Sequence, residues 1–194
     1  MPTVPKILAF AGSTRQDSFN KKLVLIAAEG ARAAGGEVSV IDLREMALPL
    51  FDEDLERNEG LPANARKLKD LFLAHDGLLI ASPEYNSSYS AVLKNTIDWI
   101  SRPVPDEAPL GCFVGKVAGI MAASPGALGG LRGLFQLRQL LSNIRVLVLP
   151  DQTTVAQAHE AFNGDGSLRD EKKQRAVEAI GANVAGTIAR LRTD

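Results

Sequence analysis

Cysteine is almost missing from this chain: Cys112 is the only one in 194 residues, which excludes an internal disulfide and any C-x-x-C redox pair. Redox chemistry, if the protein performs any, must come from a bound cofactor. Histidine is nearly as scarce. His75 and His159 stand far apart, with no cysteine near either at ligand spacing, so no metal is expected. An excess of one charge is lacking too. With 22 Lys and Arg against 23 Asp and Glu, the formal net charge is −1, which argues against a nucleic-acid-binding surface. The triplet Asp52, Glu53, Asp54 and the pair Lys172, Lys173 are too short to act as charged tails and read as solvated surface. Long apolar runs are absent. The first, Ile7 to Ala11, is too short for a signal-peptide core or a membrane span, so no membrane partner is expected and the expected location is the cytoplasm. Two glycine motifs are missing as well. Gly12 has no second and third glycine for a G-x-G-x-x-G dinucleotide fingerprint, and Gly115-Lys116 is followed by Val117, which breaks the P-loop pattern.

What is present is ordinary in amount and specific in order. Apolar residues make up 45% and charged residues 23%, and the length suits one domain over 1–194 with a full core. Five apolar runs of strand length recur at Ile7 to Ala11, Val38 to Ile41, Leu78 to Ala81, Val117 to Ala122 and Val146 to Leu149. They are continuous rather than alternating, as expected for strands covered on both faces. Between and after them lie helical stripes such as Phe19, Leu23, Ile26, Ala27 and Gly30, or Val177, Ile180, Val184 and Ile188. Alternating strand and helix five times predicts an α/β doubly wound parallel sheet with helices on both faces, and five strands favour the flavodoxin-like order 2-1-3-4-5. In that order ligands bind beyond the carboxyl ends of strands one, three and four.

Those three ends carry unusual loops. The first is GSTRQDSFN (residues 12–20), where Gly12 allows a tight turn, Ser13, Thr14, Ser18 and Asn20 offer short polar side chains, and Arg15 adds a fixed positive charge. A helix follows, so its unpaired N–H groups and positive dipole end suit a phosphomonoester. The same nine residues would also make an ordinary strand-to-helix turn with Ser18 as N-cap. The second loop is SPEYNSS (82–88) and the third SPGALGG (124–130). One ligand touching all three explains them better than three unrelated turns.

The pattern G-S-x-R-x-x-S-x-N at residues 12–20, P-E-Y-N at Pro83 to Asn86, LKNTIDW at Leu93 to Trp99, and Gly126 with Gly129-Gly130 resembles the NADPH-dependent FMN reductase family, in particular its quinone, chromate and azo-compound reductase branch. The likeness covers nearly the whole chain. It implies bound FMN, NADPH or NADH as electron donor, a small-molecule acceptor and a homodimer or homotetramer. It assigns Ser13, Arg15, Ser18 and Asn20 to the phosphate, places Pro83, Glu84, Tyr85 and Asn86 along the isoalloxazine, and sets Ser124, Pro125 and Gly126 on its other border. Tyr85 would flank the flavin or pack between subunits, and Glu84 would receive the nicotinamide or reach across a subunit boundary. No side chain is expected to act as a catalytic acid, base or nucleophile, because the flavin carries the chemistry. Alternatives are a flavodoxin-type electron carrier and a non-catalytic flavin-binding module. Trp99 reads as core or interface packing. Residues 150–169 look like a long irregular connection whose Val155, Ala156, Ala158, Ala161 and Phe162 would cover a neighbouring subunit.

Overall fold

The computed structural model describes residues 4–192. Strands β1 (Lys6–Ala11), β2 (Glu37–Ile41), β3 (Gly77–Ala81), β4 (Val117–Ala123) and β5 (Leu147–Val155) form one parallel sheet in the order β2-β1-β3-β4-β5. This is the order the sequence predicts. The helices are α1 (Phe19–Ala33), α2 (Glu53–Glu59), α3 (Ala63–Ala74), α4 (Ala91–Ile100), α5 (Leu131–Asn143), α6 (Ala158–Ala161) and α7 (Glu171–Leu191). One apolar core lies between the sheet and α1 with α7, and a second between the opposite face and α3, α4 and α5.

The central strands β1, β3 and β4 are buried on both faces, which is why their sequences run apolar without alternation. They also end nearly level. Ala11 pairs with Ala81 and Ala81 with Met121, and the ladders continue one step further through Gly12 N–H to Ala81 O (2.9 Å) and Ser82 N–H to Met121 O (2.9 Å). Three loops therefore leave the sheet along one line.

Helices α1 and α7 meet backbone to backbone. A Cβ added at Gly30 would lie 2.0 Å from the Glu178 carbonyl oxygen, and one added at Gly181 would lie 1.8 Å from that of Ala27. Only glycine allows so close a crossing.

The structure corrects three expectations. The edge strands β2 and β5 are partly exposed rather than covered on both faces. Strand β5 does not stop at Leu149: the ladder passes from Ala118↔Val148 to Ile120↔Gln152, so Leu149 to Asp151 bulge out around Pro150 and pairing resumes to Val155. The segment after it is not an open connection seeking a partner. Val155 and Ala158 are fully buried in the chain's own core, and Phe162 stacks on Phe19 with ring centroids 6.0 Å apart. Trp99 is also core: it is fully buried, donates from Nε1 to Pro49 O (2.8 Å) and meets Phe51 edge-on.

Candidate cofactor site

The level strand ends open a cleft of about 340 Å³ lined by Ser13, Arg15, Ser18, Phe19, Asn20, Pro83, Glu84, Tyr85, Ala123, Ser124 and Pro125. All the site residues expected from sequence line it except Asn86 and Gly126. Phe19 and Ala123 join them unforeseen. Phe19 was legible only as the first apolar position of a helix, and Ala123 only as the end of a strand.

Each loop is held from below. Gly12 is not a left-handed turn residue. Its missing side chain makes room for α4, because a Cβ there would meet Leu93 Cβ at 3.1 Å and Ser90 Oγ at 3.2 Å. Ser90 caps α4 by accepting from Leu93 N–H, and its hydroxyl donates to Gly12 O (2.6 Å), tying the first loop to the third strand's helix.

Ser18 stands at the N-cap position of α1 with extended backbone, yet its side chain makes no cap hydrogen bond. Its carbonyl receives the Lys21 and Lys22 N–H groups, which leaves those of Phe19 and Asn20 without a backbone acceptor among the described residues. Ser13 is buried, and among the described residues its Oγ is reached only by Arg15 N–H at 3.4 Å. Arg15 is exposed at the mouth and, among the described residues, has no carboxylate partner. Its guanidinium lies over the Phe19 ring, 5.0 Å from the centroid. Two serine hydroxyls, two backbone amides and one arginine without a carboxylate partner among the described residues thus line one helix N-terminus. Hydroxyls, helix-end amides and a guanidinium are groups that can hold an anion.

Asn20 is employed differently. Its Oδ1 accepts from Ala123 N–H and its Nδ2 donates to Ala123 O, both at 2.9 Å, so the buried amide clamps the start of α1 to the end of β4. Its second amide N–H has no hydrogen-bond partner among the described residues.

In the second loop, Asn86 and Ser87 take positive φ (51° and 66°), and Tyr85 and Ser88 exchange both backbone hydrogen bonds. Asn86 therefore serves the turn, for which asparagine is well suited. Glu84 is occupied as well. Its carboxylate accepts from Arg132 Nε (2.9 Å) and from Gly133 N–H (3.0 Å) at the start of α5. Burial pushes the Glu84 carboxyl up, but the Gly133 N–H and the Arg132 guanidinium outweigh it and hold the group below its ordinary value. Tyr85 is exposed at the rim. In the third loop, Ser124 Oγ accepts from Gly126 N–H (3.3 Å), and a Cβ at Gly126 would touch nothing nearer than that oxygen at 3.7 Å. The tight glycines are Gly129 and Gly130 (φ 61° and 96°), where added Cβ atoms would meet Ala156 N at 2.8 Å and Ala122 Cβ at 2.6 Å.

A five-stranded parallel sheet with an open helix N-terminus and two backbone-rich loops gathered at the switch point defines a flavodoxin-like protein. The family model for NADPH-dependent FMN reductase matches residues 5–160. An NAD(P)H-dependent FMN reductase of Pseudomonas aeruginosa is 36% identical over 174 residues, covering 89% of both chains. The quinone reductase of Escherichia coli K12 is 37% identical over 145 residues, 74% of this chain and 73% of its own. Among solved structures, the flavoenzyme NAD(P)H:(acceptor) oxidoreductase FerB of Paracoccus denitrificans superposes with a TM-score of 0.77 at 28% identity, over 96% of this chain and 98% of that one. The chain belongs to the NADPH-dependent FMN reductase family. It is an oxidoreductase with FMN as cofactor and a nicotinamide nucleotide as donor, which sets aside the carrier and the non-catalytic module.

Proposed function

We propose that this reductase passes electrons from NADH or NADPH to quinones, and that azo compounds, nitro compounds, chromate and free flavin are further acceptors of the same cleft. FMN, when bound, would supply two-electron chemistry between the nicotinamide donor and the acceptor. The chain's own part is placement. Ser13, Arg15, Ser18 and the α1 amides would hold the phosphate, with Asn20 contributing at most one N–H. Pro83, Glu84, Tyr85 and Asn86 would line the ring through their loop, and Ser124, Pro125 and Gly126 would border its other side. Glu84 is ionised and bonded to α5, so it fixes the second loop rather than moving a proton.

The observation that carries the reading is the single cleft shared by all three loops. Its rim presents Tyr85 and Pro125, with the exposed Leu128 on the same loop as Pro125, a surface suited to flat apolar acceptors. One cleft must serve donor and acceptor in turn, so initial-rate plots with NAD(P)H and a benzoquinone should give the parallel lines of ping-pong kinetics. Absence of quinone turnover by FMN-loaded protein would overturn the acceptor assignment.

We also propose a homodimer or homotetramer. The exposed Phe135 on α5 and Tyr85 beside the cleft are the support, in place of the self-covered segment after β5. Light scattering at micromolar concentration checks it, and a monomer there would refute it.

A further inference from the structure

We propose that Phe19 and Phe162 are positioning residues that hold Arg15 over the phosphate end of the cleft and so set the preference for a phosphorylated flavin over an unphosphorylated one. The inference rests on the assignment of residues 12–20 to the phosphate.

The four side chains form a stack assembled from two distant parts of the chain. Arg15 Cζ lies 5.0 Å from the Phe19 centroid, the Phe19 and Phe162 rings are 6.0 Å apart and within 7° of parallel, and Lys22 Nζ lies 5.8 Å from the Phe162 centroid. Both cations are attracted to ring faces rather than to carboxylates. That distinction matters for a phosphate site. An arginine held by an Asp or Glu would bring a compensating negative charge to the place where the ligand's charge must go. An arginine laid on a phenyl ring is restrained while its full charge and its N–H donors stay available.

The support beneath Phe19 is itself fixed. Phe162 is nearly buried, its backbone is bridged to Leu168, and Arg169 Nε donates to its carbonyl at 3.4 Å. The backbone of Phe19 is set by its place at the start of α1, and its ring is restrained by the parallel Phe162 ring. A flexible surface arginine would pay the entropy of ordering when the ligand arrives. Here the ring pair has ordered it beforehand, and the gain applies only to a ligand that carries the phosphate.

The test is calorimetric titration of FMN and of riboflavin into apo-protein for wild type, Phe19→Leu, Phe162→Leu and Phe162→Tyr. Phe162→Leu should bind FMN about fivefold to tenfold more weakly, the scale of one cation–π contact, while riboflavin affinity stays unchanged, and Phe19→Leu, in the cleft wall itself, should lose more affinity for FMN than for riboflavin. Phe162→Tyr keeps the ring and should restore FMN binding. An equal loss for both flavins would make the aromatic pair mere packing and overturn the proposal, as would unaltered FMN affinity. If the wild type itself binds riboflavin as tightly as FMN, the phosphate assignment of the loop fails, a result distinct from either.

Discussion

Asn20 shows how a side chain of the right chemistry is claimed by the scaffold. Sequence chemistry fits it to a phosphate, but both ends of its amide bond the Ala123 backbone. Asn20→Ala would strand a buried N–H and a buried C=O, so we expect urea unfolding to show a loss of about 1–3 kcal/mol. An unchanged midpoint would return Asn20 to a purely ligand-binding role. Glu84 makes the same point with a charge. Its lowered pKa means that its contribution to stability is complete above the ordinary glutamate value, about 4.3, and is lost as the pH falls through the lower value in the folded protein. The stability difference between wild type and Glu84→Gln should therefore hold steady from neutrality into the mildly acidic range and shrink below it. A difference that grew with acid would contradict the ion pair with Arg132. Neither partnership was legible in the sequence, because Ala123 is 103 positions from Asn20 and Arg132 is 48 from Glu84. What the sequence did carry was residue type: serines, an arginine and a proline at strand ends.

At the level of elements, legibility followed burial. Strands β1, β3 and β4 are covered on both faces and announced themselves as unbroken apolar runs, whereas β5, at the edge, was hidden past Leu149 by the bulge at Pro150. Helix α2 was hidden too, since none of its residues is buried and it has no apolar stripe to display. The glycines in helices were visible without their meaning. Gly181 and Gly186 look alike in sequence, but a Cβ at Gly181 would strike the Ala27 carbonyl, while one at Gly186 would touch only the tip of Arg190 at 3.7 Å. Gly181→Ala should destabilise by about 1–3 kcal/mol through overpacking, and Gly186→Ala should stabilise by about 0.5–1 kcal/mol through helix propensity. Thermal melts of the two variants moving in the same direction would refute the backbone contact.

For the whole molecule, the two-sided sheet makes α7 indispensable, because Val177, Ile180, Val184 and Ile188 close the core shared with α1. A chain ended at Asp170 should therefore lose cooperative unfolding and FMN binding together, as read by circular dichroism and flavin titration. Retention of flavin by such a chain would show that the cleft stands without that core. The direct contact of α1 with α7 also imposes a schedule. Helix α1, whose first residues line the cleft, is translated some 150 residues before the helix that covers its apolar face. That face stays bare until α7 has emerged from the ribosome, so flavin retention is expected to follow the emergence of α7 rather than that of the cofactor loop.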